Sequence, residues 1–369
     1  MMEQGKISSL QSALLLYMGI ISTSLLYLPS ITASEAPIDF WMSPIFASAA
    51  GFLIVLVIHA LSGLYPNRTF MEYLPRIIGD FPARCLGFLY LVTLLNMDGA
   101  IVRSYTELML NAFLKLTPKS IIIVTIVFVC AVTVRSGIEV LGRCAQFFVP
   151  LIVLSLLVIV FLLQSSFDVK EIKPILAHGL GPPARGGRLV STWFSEFFFL
   201  SFLIPYTRDA ANSLKWSSFS VIAVLVTMVG MNLSILFLLG EDSARYLYPI
   251  LIAARYISVS DFIENMESLI VVMWVVGLFI KISLFYYVTA VFAAQWMKLS
   301  DYRPIVFPTG LLIFAFAIWG LPNLMSLVAR SSDGGDLNDL MFRLVLPVLL
   351  LAIAWLRTRL GGAGGGKEA

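Results

Sequence analysis

Ten apolar runs, each of a length that can cross a lipid bilayer, follow one another along this chain. A transmembrane helix needs about 20 consecutive, mostly apolar residues. Runs of that kind lie at 8–31, 42–64, 84–112, 119–135, 143–164, 189–212, 216–239, 266–296, 304–322 and 340–358. Because a backbone inside lipid must satisfy its own hydrogen bonds, these runs predict helices. We predict an all-α polytopic membrane protein, with one transmembrane domain over 1–360 and a flexible, glycine-rich tail over 361–369.

Composition supports the membrane assignment and excludes several other classes. The chain has 59% hydrophobic and 13% charged residues, too few polar groups to cover a water-soluble surface. A net charge of +3 spread along the chain gives no footprint for nucleic acid. The three cysteines are scattered without metal-ligand spacing, and the chain has no Walker A, GxSxG or HExxH motif. We therefore expect no metal, no cofactor, no catalytic residues and no enzyme activity.

Basic residues set the expected orientation. The first run follows Lys6 and resembles a signal peptide, but its length of about 22 residues favours a retained first helix. Ten spans place both termini on one side, and a cytoplasmic N-terminus puts thirteen basic residues inside against nine or ten outside. We therefore expect both termini in the cytoplasm. The long linker after the seventh span contains an amphipathic segment, 246–262, that predicts an interfacial helix.

The ten spans divide into two halves that enter the bilayer from opposite sides, because five is odd. The halves are residues 7–164 and 189–360. In inverted-repeat transporters of this geometry, the first helix of each half is discontinuous, and its freed backbone groups bind substrate near the midplane. The spacing therefore predicts a 5+5 inverted repeat with discontinuous helices 1 and 6.

Polar residues stand at both predicted breaks. The segment GIISTS in the first span and the segment 194–206 in the sixth interrupt apolar sequence with small, hydroxyl, acidic and proline residues. Such residues can satisfy loosened amides and carbonyls. They also serve close helix packing, and this alternative stays open. The candidate ligand-binding residues are Gly19, Ser22, Thr23, Ser24, Glu196, Phe197 and Ser201.

Ionisable residues inside apolar spans are costly and therefore informative. Arg103 and Glu107 are four residues apart on one helical face, which predicts a local ion pair. Lys281 has no acid within one turn and needs a partner from another helix. The acids at comparable depth are Asp98 and Glu196. We predict either a structural ion pair of Lys281 with Asp98 or a role in proton handling, and both remain open.

Six short motifs lie along the chain: KISSLQ (6–11), SLLYLPS (24–30), DFW (39–41), YPNRTFMEY (65–73), RSGIEVLGR (135–143) and DFIENMES (261–268) followed by Trp274. Taken together they resemble the permease-like B subunits of spore germinant receptors, over residues 6 to about 287 and more loosely to 360. The resemblance implies a ten-helix protein of the amino acid–polyamine–organocation superfamily. It also implies a place in the spore inner membrane, in contact with membrane lipid and assembled with an A subunit and a lipoprotein C subunit.

The resemblance further implies that the protein senses a small-molecule germinant, typically an amino acid. The germinant would lie between helices 1 and 6, with backbone amides of residues 19–24 on a carboxylate and Glu196, Phe197 and Ser201 facing the ammonium or side chain. Lys281 lies on the helix that contributes to a sodium site in sodium-coupled relatives, so we hypothesise that its ammonium replaces that ion. The alternatives are an active amino-acid permease, proton-coupled or sodium-independent, and a ligand-gated water or ion path.

Overall fold

Helices make up nearly all of the computed structural model, which describes residues 3, 5–256, 266–320 and 335–362. The α-helices are α1 (Ser9–Glu35), α2 (Ser43–Leu64), α3 (Phe70–Ile78), α4 (Asp80–Ala112), α5 (Lys119–Arg135), α6 (Ile138–Leu163), α7 (Gly181–Phe194), α8 (Leu200–Leu203), α9 (Ser213–Leu239), α10 (Pro249–Arg255), α11 (Met266–Trp296), α12 (Val306–Trp319), α13 (Gly335–Leu340) and α14 (Leu346–Gly362). A π-helical turn, Met341–Val345, joins α13 to α14.

Eight stretches of the described chain are long and apolar enough to cross a membrane. They coincide with predicted spans one, two, three, five, six, seven, eight and ten. Two shorter helices, α5 and α12, lie where spans four and nine were predicted. The all-helical, multi-span architecture is therefore confirmed, whereas the count of ten crossings and the division into two repeats stay predictions. Residues 321 and 322, 257–262 of the expected interfacial helix, most of the 261–268 motif and the tail from 363 lie outside the described residues.

The first helix is the centre of the bundle. It packs against α6, α7, α9 and α11, and almost all of its residues from Leu15 to Pro29 are buried. Two further contact surfaces join α2 to α7 and α9, and α4 to α11 and α12. Residues of α1 therefore face protein on every side, as expected for a helix that is apolar all round and enclosed by others.

The first helix runs without a break from Ser9 to Glu35, in contrast to the predicted discontinuity. The hydroxyl of Ser22 donates to the Met18 carbonyl oxygen at 2.7 Å, and that of Ser24 to the Ile21 carbonyl oxygen at 3.3 Å. A hydroxyl that bonds to a carbonyl three or four residues earlier is satisfied within an intact helix. The small and hydroxyl residues of 19–24 therefore need no unwound backbone.

In the sixth span, where a discontinuity was predicted, the α-helix is interrupted by 3₁₀ turns, although the chain stays helical from Gly181 to Tyr206. After α7 the chain tightens into a 3₁₀-helix over Ser195–Phe199, forms the single α-turn α8, and ends in a second 3₁₀-turn, Ile204–Tyr206. Pro205 has no N–H for an intrahelical bond, which contributes to the irregular end. The tight segment carries three consecutive buried phenylalanines, Phe197 to Phe199. A 3₁₀ stretch in the middle of a helix often marks a hinge or a strained segment.

The sixth span begins eight residues earlier than the predicted 189, because glycines allow close packing there. A Cβ atom at Gly186 would overlap the Ser43 hydroxyl oxygen, and one at Gly187 would lie 2.7 Å from Phe46 Cβ. Helices α7 and α2 can therefore approach along residues that a hydropathy window reads as polar loop. The structure also adds α3, a short helix whose N-terminus is capped by Thr69 and Glu72.

The N-terminal segment ties α1 to the end of the sixth span. Ile7 and Thr207 form a parallel β-bridge, in which the Ile7 amide donates to the Tyr206 carbonyl at 3.0 Å and the Arg208 amide to the Ile7 carbonyl at 2.9 Å. The Ser9 amide donates to Asp209 Oδ1 at 2.7 Å. Residues before α1 therefore belong to the folded structure on the side where α1 begins.

Candidate ligand site at a buried charge cluster

Lys281 lies at the centre of α11, fifteen residues from each end of the helix. Its side chain is 1% exposed, and its ammonium donates to both carboxylate oxygens of Glu196, at 2.9 and 3.0 Å. It also donates to the Thr23 hydroxyl oxygen at 2.7 Å and lies 4.9 Å from the centre of the Phe285 ring. One ammonium thereby connects α1, the interrupted sixth span and α11.

A second pair of charges adjoins the first. Arg343 Nη2 lies 2.8 Å from Asp339 Oδ2, and Arg343 Nη1 lies 3.5 Å from Glu196 Oε1. The formal charges of Glu196, Asp339, Lys281 and Arg343 sum to zero. Burial of ions is tolerated when each has an oppositely charged or hydrogen-bonding neighbour, and here each of the four does.

Thr23 joins the cluster to the side of α7. Its hydroxyl oxygen accepts from the Trp193 indole N–H at 3.2 Å as well as from Lys281. Trp193 lies in the last turn of α7, directly before the 3₁₀ segment that carries Glu196. The continuous first helix and the interrupted sixth span are therefore connected by side chains at the place where the sixth span changes geometry.

The structure brings together three of the predicted site residues and distributes the others around them. Thr23, Glu196 and Lys281 are in direct contact. Ser22 and Ser24 bond to carbonyls of their own helix, and a Cβ at Gly19 would lie 3.4 Å from atoms of Leu284 and Phe285. Phe197 and Ser201 are buried, and the Ser201 hydroxyl has no hydrogen-bond partner among the described residues.

A narrow, mostly apolar cleft lies between α1 and α11 and is lined by none of the cluster residues. Met18 and Ser22 of α1 face Met273 and Trp274 of α11 across it, and residues of α6 and α10 complete its wall. Its volume of about 10 Å³ suits about one water molecule. A larger ligand would need α1 and α11 to separate at this cleft.

A family comparison decides the assignment of the chain. The family model described as spore germination protein matches residues 6–323. The chain belongs to the spore germination protein family. This confirms the resemblance that the sequence motifs indicated.

Curated relatives of this spore germination family member match it from end to end. Spore germination protein KB of Bacillus subtilis (strain 168) is 24% identical over 376 residues, covering 100% of both chains. Spore germination protein YndE of the same strain is 23% identical and covers 96% of this chain and 98% of its own. The germination protein is thus a multi-pass membrane protein of the same extent as these relatives.

Solved structures show that the family member has a transporter fold. A nucleobase-cation-symport-1 family transporter, in a closed conformation with bromovinylhydantoin bound, matches 94% of this chain and 78% of its own with a TM-score of 0.68 at 12% identity. An Eremococcus coleocola manganese transporter variant matches 95% of this chain and 78% of its own with a TM-score of 0.58 at 14% identity. At such identities the likeness concerns the fold alone.

In this germination protein Lys281 pairs with Glu196, the other of the two acids at comparable depth, and the expected Lys281–Asp98 contact is not formed. Asp98 accepts instead from the Thr289 hydroxyl at 2.7 Å, on a part of α11 two turns further along. The local pair of Arg103 and Glu107 is confirmed at 2.8 Å, with Lys119 at 3.1 Å from the same carboxylate oxygen.

Sequence reasoning missed Arg343, Asp339 and Trp193 as members of the cluster. The predicted tenth span begins at residue 340, which puts Arg343 at its edge. The helical segment begins at Gly335, so Arg343 lies eight residues, about 12 Å, inside it. The sequence feature that could have indicated a buried Arg343 is the mostly apolar sequence of the sixteen residues that follow it.

Proposed function

We propose that the protein is the germinant-sensing membrane subunit of a spore nutrient receptor. In this proposal a small molecule, an amino acid by preference, binds between α1 and the sixth span beside Glu196 and Lys281. Its occupancy is passed to a receptor A subunit and a lipoprotein C subunit to start germination. The proposed location is the spore inner membrane, with both termini on the cytoplasmic, or core, side.

The observation that carries the proposal is the buried contact of Lys281 with Glu196 and Thr23. Ionisable groups inside a membrane are retained where they pair with one another or serve ligands and ions. A ligand bearing charge competes for these partners, and so changes the balance between the conformations that hold α1 and the sixth span together. The names of the curated relatives support germination as the process.

The fold likeness to transporters supports a second candidate, an active amino-acid permease that is proton-coupled or sodium-independent. Sensing and alternating access can use one pocket and differ in whether the occupied state opens to the other side. A ligand-gated water or ion path through the same pocket is the third candidate. It draws on the polar residues that line α1, α4, the sixth span and α11.

Binding and uptake measurements on one preparation separate these candidates. The full chain is reconstituted in liposomes, and each common amino acid is tested for thermal stabilisation and for radiolabelled uptake. A sensor gives saturable stabilisation without concentrative uptake. Substantial concentrative uptake would overturn the proposal in favour of the permease, whereas ligand-dependent ion flux would favour the path.

Sodium provides a further test of the role of Lys281. We propose that its ammonium replaces the sodium ion of coupled relatives, since it supplies one positive charge between α1 and α11. Ligand stabilisation of the wild type should then be equal in sodium and in choline buffers of the same ionic strength. A clear sodium requirement would refute the replacement.

Gly19→Leu tests the position of the pocket. The larger side chain would meet Leu284 and Phe285, whose nearest atoms already lie 3.4 Å from a Cβ at this position. We expect loss of ligand binding in a protein that still inserts. The matched control is Gly63→Leu, where a Cβ has nothing within 4 Å. Unchanged affinity in Gly19→Leu would remove this part of α1 from the pocket.

A further inference from the structure

Arg343 is buried, and one edge of its guanidinium lacks close acceptors. Nη2 and Nε face Asp339, at 2.8 Å to Oδ2 and 3.3 Å to the carbonyl oxygen. Among the described residues, the neighbours of Nη1 are Glu196 Oε1 at 3.5 Å and the Met97 sulfur at 3.6 Å. Because N–H···O bonds normally span about 2.7–3.2 Å, both contacts of Nη1 are long, and a closer oxygen acceptor that displaced them would bind more strongly.

The backbone that presents Arg343 is irregular. Residues 341–345 form a π-helical turn, and Pro347 follows four residues after Arg343. Proline has no N–H to donate to the Arg343 carbonyl, and its ring would crowd that carbonyl in a regular α-helix. The wider turn removes this conflict. π-Turns inside helices occur frequently at functional sites.

The contact between Glu196 and Arg343 is the one in the cluster that can open at least cost. Glu196 is held more closely by Lys281, at 2.9 Å, and Arg343 by Asp339, at 2.8 Å, so each keeps an ionic partner if their own 3.5 Å contact is lost. The cluster is formally neutral. A ligand that enters at this contact preserves neutrality if it carries one positive and one negative charge, and a net charge would be expensive in this buried place.

We propose that Arg343 recognises the carboxylate of the ligand, which restricts the ligand class to zwitterionic α-amino acids. The ligand ammonium would meet Glu196. Its carboxylate would meet Nη1 and the second N–H of Nη2, which together can make two parallel hydrogen bonds while the other N–H of Nη2 stays on Asp339. This inference rests on the proposed function. It assigns the carboxylate to a side chain instead of the amides of residues 19–24, which lie inside the intact α1.

Matched ligands on the wild type provide the first test. The full chain in phosphatidylcholine–phosphatidylglycerol nanodiscs is titrated with the common amino acids. Each amino acid that binds is then compared with its carboxamide, which keeps the ammonium and lacks the negative charge. We expect the carboxamide to bind about 10- to 100-fold more weakly, the worth of a hydrogen bond to a charged group. Equal binding of the two would overturn the inference.

Variants then assign the discrimination to Arg343. Arg343→Gln should bind the amino acid about 10- to 100-fold more weakly while the carboxamide changes little. Arg343→Lys keeps the charge but not the two-point geometry, so part of the discrimination should return. Arg357→Gln, an exposed arginine of the same helical segment, is the control. A ratio in Arg343→Gln equal to that of the wild type would overturn the assignment.

A charge-balanced variant covers the case in which Arg343→Gln does not fold. Asp339→Asn with Arg343→Gln removes one charge of each sign and leaves the Lys281–Glu196 pair intact. It should also lose the discrimination between amino acid and carboxamide. If the wild type instead binds a small molecule without a carboxylate, the inference fails and the sensing function stands. If the wild type binds no small molecule of a broad nutrient screen, the sensing function itself fails.

Discussion

Helix α1 and the sixth span meet at the same buried cluster, yet one is a continuous α-helix and the other is not. Both contain a proline and hydroxyl residues. In α1 the hydroxyls of Ser22 and Ser24 return to carbonyls of the same helix. In the sixth span the chain tightens where Glu196 and consecutive phenylalanines must be placed in the core. The comparison shows that polar residues in a membrane helix do not by themselves break it.

The consequence is a regular α-helix beside a span of mixed helix type. The tie between them is made of side chains: Lys281 to Thr23 on one side and to Glu196 on the other. Changes to this tie should affect both elements, whereas changes to the packing of α1 should affect its neighbour α11 first.

The largest expected effect comes from breaking the tie at its centre. Lys281→Met leaves Glu196 with Arg343 at 3.5 Å as its remaining ionic partner. We expect a loss of about 3–5 kcal/mol in the free energy of unfolding, since two buried carboxylates then share the single guanidinium of Arg343 and the cluster keeps one unbalanced negative charge. Unfolding in mixed micelles of increasing dodecyl sulfate measures it.

The double variant Lys281→Met with Glu196→Gln separates charge from packing. It should lose less stability than the sum of the two single variants, because no unpaired ion of this pair is left. Lys215→Met, at an exposed lysine near the start of α9, is the control. Strictly additive losses would show that the Lys281–Glu196 contact does not hold the two elements together.

A smaller effect should follow from enlarging Gly277, where α11 packs against α1. A Cβ there would lie 2.5 Å from Met18 Cε and 3.1 Å from Ser22 Cβ. Gly277→Leu should cost about 1–3 kcal/mol through overpacking. Thermal unfolding of the purified protein measures this loss. Gly230→Leu, where a Cβ meets nothing within 4 Å, is the control, and an equal melting temperature in the two variants would contradict the close contact.

Trp193→Phe tests the weaker arm of the tie. It removes the indole donor to Thr23, at 3.2 Å, while the Thr23 oxygen keeps its bond from Lys281. We expect a loss of about 1 kcal/mol, the worth of one hydrogen bond. Thr23→Val should cost more, since it removes the acceptor of Lys281 as well. The reverse order in denaturant unfolding would show that Thr23 is not a joint acceptor.

The smallest effect is expected at the far end of both elements, where Asp209 receives the Ser9 amide. Partial burial acts to raise the pKa of Asp209, but hydrogen bonds from Ser9 outweigh it and hold the pKa below its usual range. A lowered folded-state pKa gives stability that is present above the unfolded-state pKa and is lost as the pH falls through the folded-state value. The melting temperature of the wild type should therefore exceed that of Asp209→Asn at neutral pH, and the difference should vanish in acid.

A difference that is independent of pH would place the effect of Asp209→Asn outside this titration. The Asp242→Asn variant is the matched control, because its carboxylate is exposed and pairs with Arg245, which is more exposed still.

The spans could be predicted from the sequence because lipid imposes one requirement on every crossing, a length of about 20 apolar residues. The interruption of the sixth span was also predictable, from Glu196 and Pro205 inside an apolar run. The continuity of α1 was not, because composition does not reveal which carbonyl a serine hydroxyl meets. The partner of Lys281 could be narrowed to two acids of similar depth, but the choice depends on how each helix is rotated about its axis.

Arg343 shows a different limit of sequence reasoning. A hydropathy window begins a span at the first apolar run, so polar residues of a helix that lies against protein are assigned to a loop. Asp339 and Arg343 belong to such a segment; they pair with each other, and the other partners of Arg343 come from α4 and the sixth span. Whether these residues are buried depends on tertiary packing, and a local hydropathy window carries no information about that packing.

The covalent attachment of the Lys281 ammonium to the chain limits how the protein could use an ion gradient. A free cation bound between α1 and α11 could enter from one face and leave by the other, and its gradient could then drive work on a second solute. A cation that is covalently part of the chain returns to the same place in every cycle, and only its proton can exchange with either face. Any movement of ligand past Lys281 that relies on this fixed charge, without proton exchange, is therefore limited to equilibration.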